Sequence, residues 1–232
     1  MPVDSKYRSG NGAPPGAGFE ALRHAMVEQQ IFQRGVVSPR VLEAMRKVPR
    51  HEFIPEDQQA EAYSDKPLPI GEGQTISQPY VVAAMTAALD LTGSERVLEI
   101  GTGCGYQAAV LAELAREVYS IESRAQLART ARERLARLGY ANVQIRAGDG
   151  TLGWPEAAPF DGILVTAAAP SIPPPLLDQL AEAGRLVIPV GDADRQNLHR
   201  AVKFRGKIIE QRLFDCRFVP LLGRHGWPDR TA

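Results

Sequence analysis

The chain has 232 residues, enough for one α/β domain with a substantial core, and its 27 basic and 27 acidic side chains cancel to a net charge of zero. That balance leaves no overall electrostatic footprint for nucleic acid. No apolar run is long enough for a membrane span, and the N-terminus lacks a signal-peptide apolar core. The two cysteines, Cys104 and Cys216, have neither zinc-ligand nor disulfide-framework spacing, which fits a reduced, cytoplasmic setting.

In chain order, residues 1–18 are rich in Gly, Pro and Ser and read as a disordered tail. The remainder, 19–232, reads as a single domain, with a helical and loop extension over 19–80 and an α/β core over 81–232. A helix is expected near Phe19–Gln33, with Leu22, Met26 and Ile31 on one face and Gly35 ending it. Ser38-Pro39 then gives an N-cap and a first-turn proline for a helix over Val41–Lys47. Residues 62–80, with Pro67, Pro69, Gly71, Gly73 and Pro79, look irregular. A helix from about Pro79 to Leu89 follows, with Ser77 near its N-cap.

From Arg96 the pattern alternates. Strands fit at 96–100, 117–121, 143–147, 160–166 and 185–190, and helices at 106–115, 124–138 and 173–182. This predicts a doubly wound, mostly parallel sheet covered by helices. Arg200–Phe204, Ile208–Phe214 and Cys216–Pro220 read as short strands of an antiparallel edge, with a hairpin turn at Arg205-Gly206.

The most informative stretch is VLEIGTGCGYQAAVLAELAREVYSIE, residues 97–122. Val97, Leu98 and Ile100 form a strand, Gly101, Gly103 and Gly105 a tight turn, and Val118, Tyr119 and Ile121 a second strand ending on Glu122. A carboxylate at that tip is where a ribose hydroxyl pair is held, so the unit reads as a site for a nucleoside-containing cofactor. The dinucleotide fingerprint G-x-G-x-x-G would need glycine at position 106, where this chain has Tyr106. Glu99, two residues before the first glycine, would repel a pyrophosphate but suits a cationic ligand end. An acidic residue followed by G-x-G-x-G resembles the S-adenosylmethionine-dependent methyltransferases, whose Rossmann-like fold matches the predicted sheet.

Other segments narrow the resemblance: GEGQTISQPY at 71–80, GDGTLGWPEAAPFDGILVTAAAP at 148–170 and RFVPLLG at 217–223. MRKVPRHEFIP at 45–55 and AYSDKPLPIG at 62–71 belong with them. Together they resemble the protein-L-isoaspartate O-methyltransferase family over about residues 20–223. Three departures stand out: Cys104 where the family often has serine, Ser123 where arginine is common, and Cys216 where valine is usual.

The resemblance implies methyl transfer from S-adenosylmethionine to the free α-carboxylate of an isoaspartyl residue in a damaged protein or peptide. The ester then closes spontaneously to a succinimide. A carboxylate is ionised at neutral pH and needs no general base, so the work left to the protein is alignment in a dry site. Ser77 is expected to orient the acceptor oxygen through its hydroxyl; the competing role is helix cap. Thr75 and Ile76 would form a lid over the cofactor. Glu122 would accept from the ribose hydroxyls, and Glu99 would hold the ammonium end or the loop's own N–H groups. Asp149 with Gly150 would meet the adenine, although Gly-Asp-Gly is also an ordinary turn. Val165-Thr166-Ala167 would leave room for ligand at a strand end, and Arg217-Phe218-Val219-Pro220 would line a peptide groove. The four histidines have no metal spacing.

The expected partners are isoaspartyl proteins and peptides alone, on a monomer, without nucleic acid or membrane. Methylation of RNA or a metabolite, and an inactive cofactor-binding module, are the competing readings.

Overall fold

The computed structural model describes residues 18–228, so residues 1–17 of the expected tail lie outside the described residues. Seven strands form the main sheet: β3 (Arg96–Ile100), β4 (Glu117–Glu122), β5 (Val143–Ala147), β6 (Phe160–Val165), β7 (Leu180–Gly191), β8 (Gln196–Phe204) and β9 (Lys207–Cys216). Their spatial order is β5-β4-β3-β6-β7-β8-β9. The first five are parallel, and β8 and β9 add an antiparallel edge. Strands β3, β4 and β6 are buried on both faces, which is why they read as near-continuous apolar runs.

Helices α4 (Tyr106–Ala112), α5 (Ala125–Arg137) and α6 (Pro174–Asp178) connect the parallel strands, and α3 (Pro79–Leu89) precedes them. On one face Leu98, Ile100, Phe160, Ile163 and Leu186 pack together. On the other, Met85 and Leu89 of α3 meet Val97, Leu111, Val118 and Leu164. The N-terminal helices α1 (Phe19–Met26) and α2 (Pro39–Lys47) close over the outer side of α4 and α5. There Phe53 meets the Tyr106 ring edge-on at 5.5 Å.

This topology positions the site. The chain steps from β3 to β4 to β5, then returns to lay β6 on the other side of β3. The connections leaving β3 and β6 therefore diverge, and a crevice opens beyond their carboxyl ends.

Four elements differ from the sequence reading. The first helix changes pitch: α1 is followed by a wide turn over Val27–Ile31 and a tight one over Phe32–Arg34, before Gly35 ends it at φ 93°. The stretch 62–80 contains a hairpin, β1 (Leu68–Gly71) with β2 (Gln74–Ile76). Its turn places Glu72 and Gly73 at φ 51° and 68°. Pro69 concealed it, but a two-stranded ladder is all edge and tolerates proline.

The expected helix over 173–182 stops at Asp178, because Leu180 is drawn into the sheet opposite Phe160 and starts β7. Finally, Arg217–Val219 form no strand. The Gln196 side chain accepts from the Phe218 N–H at 2.6 Å and donates to its carbonyl at 3.2 Å, replacing a ladder. The Arg205-Gly206 turn is present, with φ 51° and 71°.

Phe160 is fully buried with the Tyr119 ring edge-on at 5.7 Å. Phe160→Ala should lower unfolding stability by ~3–5 kcal/mol, read from the urea midpoint at unchanged slope. A loss below ~1 kcal/mol would contradict close packing beneath the sheet.

Candidate active site

The site is built on the turn after β3. Gly101 sits at φ 95°, and a Cβ there would lie 2.3 Å from the Thr166 hydroxyl. Thr166, just past β6, places that hydroxyl 2.7 Å from the Gly101 carbonyl and 3.0 Å from that of Ile100. Its N–H also donates to Ile100 at 2.9 Å. The divergent ends of β3 and β6 are thus pinned together where only glycine fits. Gly105 serves packing instead: it precedes α4 at φ 92°, and a Cβ would press on Leu135 and Ala131 of α5.

The crevice holds a cleft of about 600 Å³ bordered by Gly101, Gly103, Glu122, Gly150, Thr166 and, from the hairpin, Thr75. A recess of about 50 Å³ adjoins it, bordered by Thr75, Ile76, Ser77, Gly103, Cys104 and Tyr106. Thr75, Ile76, Ser77, Gly101, Gly103, Glu122 and Gly150, widely separated in sequence, thus converge on one place. Glu99, Gly105 and Asp149 border neither space.

Glu122 is buried at the tip of β4. One carboxylate oxygen accepts from the Gly103 N–H at 2.8 Å, and the other from the Arg124 N–H at 3.0 Å. These bonds fix the carboxylate at the cleft wall, and its remaining lone pairs can accept from a vicinal diol.

Glu99 lies beneath the turn with no exposure. Ser120, its register partner on β4, donates to one carboxylate oxygen, and Thr102 meets the same Ser120 hydroxyl at 2.5 Å. The other oxygen, Oε1, is buried without a partner among the described residues. Burial pushes this carboxyl up to about 8; the Ser120 bond opposes the shift and the Glu122 charge adds to it. This unpaired carboxyl oxygen under the glycine turn could answer the ammonium end of S-adenosylmethionine through water, and a cation there would favour the ionised form.

Ser77 does not cap α3. Gln78 occupies the N-cap position, and the Ser77 hydroxyl has no hydrogen bond among the described residues. Ser77 itself borders the recess. Asp149 follows its turn-forming reading. It caps Gly150–Leu152, accepting from the Thr151 N–H at 2.9 Å and hydroxyl at 2.6 Å. Its other oxygen accepts from the Arg224 N–H at 2.8 Å, which holds the last described segment against this turn. Gly150 is required beside it, since a Cβ would lie 2.3 Å from Ile100 Cγ2.

Several contributors escaped the sequence reading. Trp227 borders the large cleft and donates to the Ala168 carbonyl at 3.1 Å. Ser120 was detectable as the one serine within the buried run VYSIE. Arg50, whose guanidinium donates to the Ser77 carbonyl at 2.7 Å, had no sequence signal. Among the described residues, no group of three or more His, Cys, Asp or Glu side chains could hold a metal.

The Glu99 shift has a stability consequence. Its folded-state pKa is above the unfolded value, so the folded protein holds a proton that the unfolded chain releases. That contribution is full below the ordinary carboxyl range and is lost as pH rises through about 8. The ligand-free protein should therefore melt lower at pH 9 than at pH 6, and Glu99→Gln should flatten that slope in thermal scans. An identical slope in the variant would assign the titration elsewhere.

The model of the family described as protein-L-isoaspartate(D-aspartate) O-methyltransferase matches residues 21–226. A protein-L-isoaspartate O-methyltransferase 1 of Syntrophobacter fumaroxidans is 57% identical over 209 residues, covering 90% of this chain and 98% of that protein. A Geobacter metallireducens relative named protein-L-isoaspartate O-methyltransferase is 57% identical over 210 residues, with 90% and 97% coverage. A solved protein-L-isoaspartate O-methyltransferase superposes at TM-score 0.80 with 30% identity, covering 90% of this chain and 67% of that one. A second, from Plasmodium falciparum in complex with S-adenosyl-L-homocysteine, gives TM-score 0.76 and 29% identity, with 86% and 98% coverage. The chain belongs to the protein-L-isoaspartate(D-aspartate) O-methyltransferase family.

Proposed function

We infer that the chain transfers a methyl group from S-adenosyl-L-methionine to the free α-carboxylate of L-isoaspartyl residues in damaged proteins and peptides. The observation that carries this reading is Ser77 at the border of a small recess beside the glycine turn, where it does not cap α3. When bound, S-adenosyl-L-methionine supplies an electrophilic methyl carbon on a sulfonium.

The protein's own part is to bind, orient and exclude water. Glu122 accepts from the ribose hydroxyls, Gly101 and Gly103 let the ligand approach bare backbone, and Glu99 Oε1 answers the cationic end. Gly150 shapes the adenine end of the cleft. Asp149, with one oxygen lone pair left, supports that wall. Thr75 and Ile76, carried on the hairpin, lie over the ligand. Ser77 Oγ–H donates to one acceptor oxygen and leaves the other in line with the methyl carbon. Sulfonium and carboxylate lose opposite charges together, so a recess that excludes water favours the step.

Residues 19–80 and the α/β core act as one domain in this reading, supported by their shared apolar cluster. The enzyme works as a cytoplasmic monomer on protein and peptide substrates and not on nucleic acid or membranes. The balanced charge supports the exclusion of nucleic acid, and no described helix is long and apolar enough to cross a membrane.

Labelled S-adenosyl-L-methionine with a matched peptide pair tests the reaction. Base-labile label should enter the isoaspartyl peptide and not its normal aspartyl twin. Label in neither, with the methyl donor bound, would overturn the reading. Ser77→Ala should lower kcat by ~10-fold or more, the loss of one charge-assisted hydrogen bond. Affinity for the methyl donor should stay within about 3-fold. Unchanged kcat would remove the Ser77 hydroxyl from the reaction.

A further inference from the structure

Arg50 is the largest side chain with no solvent exposure. Its Nε donates to the Ala62 carbonyl at 2.8 Å and its Nη2 to the Ser77 carbonyl at 2.7 Å. The guanidinium carbon lies 4.8 Å from the centre of the Tyr106 ring, which also borders the recess. Arg50 thus joins the loop before the hairpin, the Ser77 backbone and the first turn of α4. Its remaining nitrogen, Nη1, is buried with no acceptor among the described residues.

No carboxylate pairs with this cation among the described residues. The ionisable groups around it are Tyr106, Cys104 and Tyr63. Burial raises the pKa of all three, so each is neutral at pH 7. Burial lowers the Arg50 pKa, yet a guanidinium remains charged at neutral pH. Two carbonyls could be satisfied by a neutral amide with far less desolvation. What the hydrogen bonds leave unexplained is the charge, because a buried cation without a counterion is costly.

The missing counterion corresponds to the acceptor substrate. The proposed reaction brings an ionised carboxylate to Ser77, whose backbone carbonyl accepts from the guanidinium at 2.7 Å. We propose that Arg50 is a positioning residue for the methyl acceptor: it fixes the Ser77 backbone and holds the recess positive, so that the site selects an ionised acid over its neutral isostere. This inference rests on the isoaspartyl reading of the site. It adds a source of acceptor discrimination that acts through space and backbone and not by contact.

The test measures discrimination as a ratio. With S-adenosyl-L-homocysteine present to prevent turnover, calorimetry gives Kd for an isoaspartyl peptide and for the same peptide with its α-carboxylate replaced by carboxamide. The wild type should bind the acid more tightly. Arg50→Gln, which keeps amide donors and removes the charge, should reduce the acid-to-amide preference by ~10-fold, as expected for one unit charge several Å away. Arg50→Lys should retain most of the preference. A merely structural role would weaken both peptides in parallel, and an unmoved ratio would overturn the proposal.

A second measurement needs no variant. Carbon-13 at the isoaspartyl carboxyl, titrated by NMR in the wild-type complex with S-adenosyl-L-homocysteine, should report a pKa below that of the free peptide. An equal or raised value would overturn the proposal even if Arg50→Gln fails to fold. A wild type that binds neither peptide would instead overturn the isoaspartyl reading itself.

Discussion

The contact between Thr166 and the Gly101 backbone is the constraint on which the site depends. Strands β3 and β6 are neighbours whose outgoing chains turn opposite ways, and the crevice exists because they diverge. Without a tie, the ends of two such strands would be free to splay. The Thr166 hydroxyl and N–H both bond back to the end of β3. The crevice therefore opens from a fixed edge, and the absence of a side chain at Gly101 permits that edge. Glu122 then takes its place on the neighbouring strand, secured by the Gly103 N–H.

This arrangement explains which parts of the molecule were legible in the sequence. The unit from Val97 to Glu122 was readable because one short segment carries every signal: an apolar run, three glycines, a helical face and a terminal acid. The parallel strands were readable because burial on both faces forces them apolar. The hairpin β1–β2 was hidden because Pro67 and Pro69 punctuate it as they would a loop, and its pairing depends on the Glu72-Gly73 turn. The shortened α6 was hidden for another reason. Leu180 suits helix and strand alike, and the vacancy opposite Phe160 decides between them.

The candidate site was legible to the same uneven degree. Thr75, Ser77, Glu122 and Gly150 were found by pattern and resemblance, and they meet in space. Asp149 was also found, and its carboxylate bonds to Thr151 nearby and to the distant Arg224 backbone, which ties the last described segment to this turn. Arg50 could not be found, since an arginine in KVPRHEFIP looks like any solvated cation until Tyr106 and Phe53 are seen to enclose its neighbourhood. Pattern reveals residues whose role depends on chain neighbours. It misses those whose role depends on what the fold brings beside them.

Glu99 and Arg50 share one property, though no hydrogen bond or ion pair joins them among the described residues. Each is wholly buried and each has a polar atom with no partner among the described residues; without ligand, burial holds Glu99 protonated at neutral pH, while the Arg50 guanidinium keeps its charge. Protein interiors rarely keep such groups, because an unpaired buried charge is destabilising. Glu99 lies on β3 just before the glycine turn, and Arg50 donates to the Ser77 carbonyl. The proposed reaction unites a cationic donor with an anionic acceptor and neutralises both. Glu99 can answer the cationic donor only by giving up its proton as the ligand arrives, whereas Arg50 is positive before the acceptor comes. The ammonium end that Glu99 would answer is unchanged by the reaction, whereas the acceptor carboxylate that Arg50 would favour becomes a neutral ester, so in this reading it is the acceptor whose attraction to the site is lost with the step.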